Sequence, residues 1–336
     1  MEIAPVTYSS ISPDYLLKLV KQKYDVSDEA KITFIKRGFN DTYLIAEPTG
    51  KKYILRVYNN KRRNFNSINL ELIMLRMMKD FGKKSISYPI YTKGQSFSFN
   101  IPAPETERWA ALFSYAEGEV VRKLSIEQSF LLGAEAAKIH LFAIGYNKDY
   151  VEYDYNIDSQ FKTTLTTLKP ILKDYPEQYN YLKELKADFV KTFREANQEE
   201  LKKGICHGDL QAENIHFTED NKLTIFDFDF MGKGYLAYDI GVFIWYDHKN
   251  KPTEIIHSFI EGYETVRKLS SSEFRLLPYF STLRAVFQMT LYCITNDGQY
   301  LPQWQPKEVA AFVNKIKDWH EKGKGKSQQS TITTNK

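Results

Sequence analysis

The sequence predicts an α+β protein with two lobes, a small N-terminal lobe formed by an antiparallel β-sheet with one helix and a larger C-terminal lobe that is mostly α-helical. Apolar and polar residues alternate through much of the first third of the chain, which is typical of β-strands. Apolar residues recur at three- and four-residue spacing over most of the remainder, which is typical of helices. The period changes near residues 114–124, and 336 residues suffice for two lobes.

Each element of the N-terminal lobe follows from local spacing and turn signals. The turn "EPTGKK" separates two alternating stretches and predicts a hairpin that continues into a third strand. Gly82 ends the following helical stretch. The predicted elements are a helix at 13–24, strands at 31–47 and 51–59, a helix at 66–82, and strands at 97–102 and 108–120.

Helical spacing dominates the C-terminal lobe, except that residues 204–230 carry two short β-like stretches joined by a turn. The end of the chain, "EKGKGKSQQSTITTNK", is polar and contains glycines, which predicts disorder. The helical stretches are 127–144, 158–200, 253–268, 272–296 and 306–321. The predicted organisation is an N-terminal lobe at 1–113, a hinge at 114–118, a C-terminal lobe at 119–321 and a disordered tail at 322–336.

Composition excludes several classes of protein. The net charge is only +4, and basic residues are interleaved with acidic ones, so the sequence does not favour a nucleic-acid partner. Cys206 and Cys293 lie far apart, which supports neither a disulfide framework nor a zinc site and favours a reducing, cytoplasmic location. No apolar stretch approaches the ~20 residues that a membrane-spanning helix requires.

Two short segments carry the chemistry. "HGDLQAEN" supplies Asp209 and Asn214, and the strand-like "LTIFDFDF" ends with Asp227. Asp209 and Asn214 alone would also suit a turn or a helix cap. Together with Asp227, however, they offer oxygen ligands for Mg²⁺ and one carboxylate to deprotonate an acceptor, the requirements of phosphoryl transfer from a nucleotide. His207 is predicted to be a structural loop residue because Asp209 is better placed to act as the base.

At these residues the sequence resembles the aminoglycoside phosphotransferase and choline kinase-like superfamily, the small-molecule branch of the bilobal protein-kinase-like fold. "HGDLQAEN" fits the pattern H-G-D-x-x-x-x-N, and "IFDFD" follows it. The wording "DFDxxGxGxxxYDI" is most similar to the branch of bacterial stress-response kinases and type II homoserine kinases. The resemblance implies ATP and Mg²⁺ as cofactors. It also implies a small hydroxyl-bearing acceptor such as an amino alcohol, a sugar or an aminoglycoside-like compound.

The resemblance assigns roles position by position. It makes Asp209 the catalytic base, and Asn214 and Asp227 the magnesium ligands. Asp229 stands where protein kinases have the glycine of D-F-G and is an additional carboxylate of undefined role. Asp239 matches a structural aspartate that braces the catalytic loop.

In the N-terminal lobe, the resemblance places a nucleotide-positioning cation on the third strand and a glutamate on the next helix. Arg56 occupies the strand position, where the family has lysine, and Glu71 fits the helix position. Arginine can hold phosphate, although its planar fork differs from an ammonium group. Arg56 could instead extend from a strand edge to solvent, and Glu71 could be an ordinary exposed helix residue.

The remaining predicted nucleotide contacts come from a turn and from the hinge. Gly38 and Asn40 stand in a reduced version of the family's glycine-rich loop, where an ordinary hairpin turn is the alternative interpretation. The backbone around Ser114 to Ala116 resembles the hinge that meets adenine.

Three alternative functions remain open from the sequence. One is a protein Ser/Thr kinase with a protein acceptor, which usually has lysine two residues after the base, where this chain has Gln211. "TIFDFDF" also resembles the D-x-D motif of haloacid-dehalogenase-like phosphatases, and Arg56 suggests a non-catalytic nucleotide-binding module. After the metal loop, residues 245–247 are predicted to line the acceptor pocket.

Overall fold

The computed structural model describes the backbone at residue 6 and at residues 8–82, 85–144, 153–246, 252–294 and 304–333, with side chains up to residue 323. Strands and helices both contribute throughout, so the predicted α+β class is confirmed. Contacts divide the chain into two compact units. The first contains Met1–Glu119 and His216–Asp227, and the second contains Val120–Ile215 and Phe228–Lys336.

The segment His216–Asp227 departs from the predicted organisation, which assigned it to the C-terminal lobe. The reason lies in backbone hydrogen bonds. Ile225 donates its N–H to the Ser85 carbonyl at 2.8 Å and accepts from the Ser87 N–H at 2.9 Å. These bonds attach the segment to the first unit, which therefore contains Asp227.

The first unit contains a five-stranded antiparallel sheet in the order β1-β2-β3-β5-β4. Its burial follows the sequence pattern, because alternate residues of β2 are buried. Leu16 and Val20 on the first helix pack into the core that this sheet covers. The elements are α1 (Pro13–Lys23), β1 (Lys31–Arg37), β2 (Asp41–Ala46), β3 (Lys52–Val57), α2 (Phe65–Asp80), β4 (Phe99–Pro102) and β5 (Glu107–Ser114).

Helix α2 begins at a defined cap and carries a buried acid. The Asn64 side chain accepts the Ser67 N–H at 3.0 Å and satisfies one of the donors at the helix start. Glu71 lies one turn further on and is completely buried, so it is not the exposed helix residue of the alternative interpretation. A buried carboxylate requires a cationic or hydrogen-bonding partner.

The second unit is mostly helical, with a small sheet in the order β7-β11-β8. Strand β8 ends at Cys206, immediately before the loop that carries Asp209. The remaining elements of the chain are β6 (Glu119–Val120), α3 (Ile126–Ala143), β7 (Tyr153–Asp154), α4 (Ile157–Ile171), α5 (Pro176–Glu195), β8 (Lys203–Cys206), β9 (Ile215–Phe217), β10 (Leu223–Ile225), β11 (Gly232–Tyr235), α6 (Ala237–Trp245), α7 (Thr253–Glu264), α8 (Ser271–Ile294) and α9 (Pro306–Thr333).

The last helix differs from the disordered tail predicted at 322–336. Its backbone is helical from Pro306 to Thr333. The first turns of this helix pack against the rest of the protein through three buried residues, Val309, Val313 and Ile316. Because extending an established helix costs less free energy than starting one, the helix continues into the predicted tail. Among the described residues, no helix is both long and apolar enough to span a bilayer.

Candidate active site

Asp209 lies in the loop after β8, and hydrogen bonds to both of its carboxylate oxygens hold it there. Oδ1 accepts the Tyr246 hydroxyl at 2.8 Å and Nη2 of Arg284 at 2.5 Å. Oδ2 accepts Nδ2 of Asn214 at 2.8 Å and Nε2 of Gln211 at 2.9 Å. Only 7% of Asp209 is exposed, so the structure fixes one orientation of this carboxylate.

Asn214 is oriented by the same loop. Its Nδ2 donates to the Asp209 backbone oxygen at 2.9 Å as well as to the Asp209 carboxylate. Because the amide nitrogen is engaged in both bonds, Oδ1 is the atom of Asn214 that suits a metal ion. The role of Asn214 as a metal ligand stays a prediction.

Asp239 braces the loop from helix α6. Oδ1 accepts the Gly208 N–H at 2.8 Å, and Oδ2 accepts the His207 N–H at 2.7 Å and Nε2 of His140 at 3.0 Å. Burial alone would raise the pKa of Asp239, but the His140 bond and the neighbouring donors lower it below its ordinary value. The ring of His207 also stays within the loop, because Nδ1 accepts the Asp209 N–H at 3.2 Å.

Asp239→Asn is expected to destabilise the second unit by about 3–5 kcal/mol, because it removes a buried charge that His140 and two backbone donors satisfy. Since the folded-state pKa of Asp239 is lowered, its contribution is present above the unfolded pKa of ~3.9 and is lost as pH falls through the folded value. Urea unfolding at neutral pH and at pH 3 measures both effects. The free energy of unfolding should fall more at neutral pH than at pH 3, relative to the parental protein. An equal decrease at both pH values would contradict the prediction.

Gly208 explains why glycine precedes the aspartate in this loop. Its φ is +81°, a conformation that L side chains rarely adopt. A Cβ atom at this position would lie 2.1 Å from the Phe230 carbonyl oxygen and 2.2 Å from the Tyr155 hydroxyl. The first of these atoms belongs to the backbone and cannot rotate away, so the site requires glycine.

Gly208→Ala is therefore expected to be destabilised by more than the ~1–2 kcal/mol that left-handed backbone costs an L residue, since the Cβ overlap adds to it. It should also lose transfer activity because Asp209 is the next residue. Gly38→Ala is the matched control, because a Cβ there meets nothing within 4 Å. Thermal unfolding of both variants measures the difference, and equal melting temperatures would refute the packing argument.

Arg284 contacts Asp209 and was not among the residues that the sequence predicted for the site. It lies on α8 with 3% of its surface exposed, and its Nη1 donates to the Gly208 carbonyl at 3.2 Å. Burial would lower its pKa, but Tyr246 and Asp209 raise it well above the ordinary value. A signal was present, because "STLRAVF" places one charge in a small and apolar stretch, and a buried charge requires a partner.

Tyr246, predicted to line the acceptor pocket, lies at the C-terminal end of α6, and its hydroxyl reaches Asp209. Trp245 donates Nε1–H to Gln288 at 3.0 Å and does not contact Asp209 among the described contacts. Asp247, the third residue of that prediction, lies outside the described residues.

The first unit contains a network of ion pairs that includes Arg56. Nη2 of Arg56 lies 3.0 Å from Oδ1 of Asp227, and Nη1 lies 3.4 Å from Oε1 of Glu71. Arg63 forms a closer ion pair with Glu71 and is itself 3% exposed. Arg63 therefore holds the glutamate, while the shorter contact of Arg56 is to Asp227. The sequence did not indicate that Arg63 pairs with Glu71, because the adjacent Arg62 is the same residue type.

Asp227 adopts an unusual backbone conformation, with φ +65°. Aspartate tolerates this region better than most residues, and such conformations are concentrated at functional sites. Its side chain is 31% exposed, whereas Asp229, two residues later, is 3% exposed and belongs to the second unit. The two carboxylates therefore have different surroundings.

The predicted nucleotide-turn and hinge residues are already bonded within the first unit. Oδ1 of Asn40 accepts the Asn59 N–H at 3.1 Å, and the Gly38 N–H donates to the Asn40 carbonyl. The Ser114 carbonyl accepts the Ser87 hydroxyl at 2.7 Å. The Ala116 carbonyl accepts Nδ1 of His216 at 2.7 Å. The Ser114 N–H also donates to the Tyr88 carbonyl at 2.9 Å, so adenine binding by the hinge would use other N–H groups or second carbonyl lone pairs.

Two of the predicted metal ligands have oxygen atoms of the kind that Mg²⁺ uses. Among the described residues, no group of three or more His, Cys, Asp or Glu side chains forms a ready-made metal site. Mg²⁺ commonly uses one or two carboxylate or amide oxygens, with phosphates and water completing its octahedron. Oδ1 of Asn214 in the second unit is an oxygen donor of that kind, and so is the partly exposed carboxylate of Asp227 in the first unit.

Comparison with known proteins finds a matching family profile and related sequences over most of the chain. Residues 31–274 match the profile of the APH family, described as the phosphotransferase enzyme family. The chain is 29% identical over 271 residues to protein sll1119 of Synechocystis sp., which covers 80% of this chain and 74% of that protein. It is 23% identical over 331 residues to a homoserine kinase of Rhizobium meliloti, which covers 92% of this chain and 93% of that enzyme.

A solved structure shares the fold. The amicoumacin kinase hAmiN, determined in complex with AMP-PNP, Ca²⁺ and Ami, superposes with a TM-score of 0.71 at 20% identity. The match covers 92% of this chain and 94% of hAmiN. This likeness supports the predicted protein-kinase-like architecture of small-molecule kinases.

Proposed function

Because this chain belongs to the phosphotransferase enzyme family and is a kinase-type phosphotransferase, we propose that it transfers the γ-phosphate of ATP to a hydroxyl group of a small molecule, with Mg²⁺ as the metal ion. The observation that carries this proposal is the fixed carboxylate of Asp209, next to Asn214 in one loop. The matching relatives named homoserine kinase and aminopropanol kinase act on small hydroxyl-bearing compounds, which supports an acceptor of that class.

Asp209 is the proposed base. One of its carboxylate oxygens accepts a hydrogen bond from the acceptor hydroxyl, orients it toward the γ-phosphate and receives its proton as the new O–P bond forms. Asn214 and Asp227 are the proposed metal ligands, and Arg56 is the proposed phosphate contact. Mg²⁺, when bound, neutralises phosphate charge in this class of reaction.

The arrangement favours this function over a phosphatase that would use Asp227 as its nucleophile. Asp227 is paired with the Arg56 guanidinium, whereas Asp209 is paired with Arg284 and lies in the segment that fits H-G-D-x-x-x-x-N. Gln211, at the position where protein kinases have lysine, donates to Asp209 and offers no cation there. The loop therefore favours a small-molecule acceptor over a protein acceptor.

The test is magnesium-dependent ADP release from ATP across a panel of acceptors. The panel contains homoserine, aminopropanol, choline, amicoumacin, spectinomycin and one generic protein. We expect stimulation by at least one small hydroxyl compound and none by the protein. Absence of ATP binding would sink the proposal, and phosphorylation of the protein alone would replace the acceptor class.

A further inference from the structure

The carboxylate of Asp209 has no vacant position for an acceptor. Oδ1 accepts from Tyr246 and Arg284, and Oδ2 accepts from Asn214 and Gln211. An ionised carboxylate offers about four lone-pair positions, and these four donors use them. A substrate hydroxyl can therefore bond to Asp209 only by taking the place of one donor.

Two of the four donors are fixed. Arg284 is 3% exposed and pairs with Asp209, so its withdrawal would leave a buried charge without its counter-ion. Asn214 is 5% exposed and is bonded to the Asp209 backbone as well as to the carboxylate. The neutral donors Tyr246 and Gln211, both of intermediate burial, are the ones that can give way.

Tyr246 makes the bonds that an alcohol would make. Its hydroxyl donates to Oδ1 of Asp209, and its oxygen accepts a short hydrogen bond from Nη2 of Arg284. Burial raises its pKa above the ordinary tyrosine value, so the hydroxyl keeps its proton at neutral pH and remains a donor. The amide N–H of Gln211 can donate to Asp209 but cannot accept from Arg284, so it does not match a hydroxyl.

We propose that the Tyr246 hydroxyl occupies the position that the acceptor hydroxyl takes, and that Oδ1 of Asp209 and Nη2 of Arg284 form the acceptor-hydroxyl subsite. The ligand class is a neutral alcohol, which can donate to the carboxylate and accept from the guanidinium at once. This inference rests on the proposed function, because it takes Asp209 to be the base.

The subsite has a consequence for water. While Tyr246 is in place, water cannot be held against Oδ1 of Asp209, so hydrolysis of ATP is suppressed until an acceptor displaces the tyrosine. In transfer, the alcohol oxygen bonds to the γ-phosphorus, the bond from that phosphorus to the ADP oxygen breaks with its electron pair leaving on ADP, and the hydroxyl proton passes to Asp209. Hydrolysis is the same balanced step with water in place of the alcohol.

Tyr246→Phe is expected to raise acceptor-independent ATP hydrolysis about tenfold, because it keeps the ring but removes the hydroxyl that competes with water for Asp209. The measurement is release of inorganic phosphate from ATP and Mg²⁺ with no acceptor added. Tyr246→Leu also lacks the hydroxyl and should show the same rise, so the test does not depend on one variant. Adding Asp209→Asn to Tyr246→Phe should abolish the gain.

Tyr181→Phe is the matched control, because Tyr181 lies on α5, outside the Asp209 loop, and its buried hydroxyl has no hydrogen-bond partner among the described residues. It should hydrolyse ATP at the parental rate. The inference is overturned if Tyr246→Phe and Tyr246→Leu bind ATP without increased hydrolysis, or if hydrolysis by Tyr181→Phe rises equally. Loss of acceptor-dependent transfer in Asp209→Asn tests the proposed function separately, so the subsite can fail while that function stands.

Discussion

Asp209→Asn is expected to lower kcat for acceptor-dependent ADP release by about a hundred- to ten-thousand-fold, the range that a positioned general base contributes. Asparagine keeps the size of the side chain and can still accept from Tyr246 and Arg284, but it cannot take the acceptor's proton. ATP affinity should change little, since Asp209 is proposed to contact the acceptor. Steady-state kinetics at saturating ATP, with ATP affinity from calorimetry, measure the two effects.

The same variant is also expected to be less stable, and a second variant separates chemistry from folding. The amide leaves the buried Arg284 guanidinium without a counter-ion, which costs about 3–5 kcal/mol. Asp209→Asn with Arg284→Gln removes both charges, so it should recover much of the stability and none of the activity. Asp220→Asn, in an exposed turn, is the control for an ordinary Asp to Asn change. Activity near the parental level in the double variant would contradict the assignment of the base.

Arg56→Met is expected to lower kcat/KM for ATP by about a hundred- to a thousand-fold, the loss typical when one group that stabilises transition-state charge is removed. The reason is that the two arginines have different main partners. Arg63 pairs with the buried Glu71, whereas Arg56 contacts Asp227 and has a side chain that is 12% exposed. Stability should fall much less than activity, since Glu71 keeps its counter-ion. Kinetics with ATP as the varied substrate, together with urea unfolding, measure both.

Two neighbouring arginines provide the controls for Arg56. Arg62 lies 3.6 Å over the Phe39 ring, so Arg62→Met should leave ATP kinetics close to parental. Arg63→Met should show the opposite balance to Arg56→Met, with a large loss of stability because Glu71 is fully buried. If Arg56→Met unfolds as readily as Arg63→Met, then Arg56 is a structural residue and not a phosphate contact.

Local sequence pattern was enough for the fold class and for most helices and strands, because those depend on periodicity and on turn residues. The strands around "EPTGKK" and the helix that ends before Gly82 are both present. The sequence could not show that His216–Asp227 belongs to the first unit. That assignment depends on backbone hydrogen bonds to Ser85 and Ser87, which lie ~140 positions away along the chain. Long-range pairing of that kind leaves no local pattern.

Some residues of the candidate site could be predicted from the sequence, and others could not. The loop residues Asp209 and Asn214 share one motif, so a resemblance could assign their roles from a short segment. Arg284 and Tyr246 reach the same carboxylate from α8 and from the end of α6, and only the folded chain shows that they meet there. Arg63 could not be distinguished from Arg62, because burial rather than residue type separates them.

The central claim is that phosphate reaches the hydroxyl of a small molecule with Asp209 as the base. The most direct measurement is ³¹P NMR of the enzyme with ATP, Mg²⁺ and each small acceptor of the panel. A new phosphomonoester resonance is expected with at least one acceptor, and it should be absent in the Asp209→Asn, Arg284→Gln double variant. Phosphate found only as the inorganic ion or on protein, or an ester formed at the parental rate by the double variant, would contradict it.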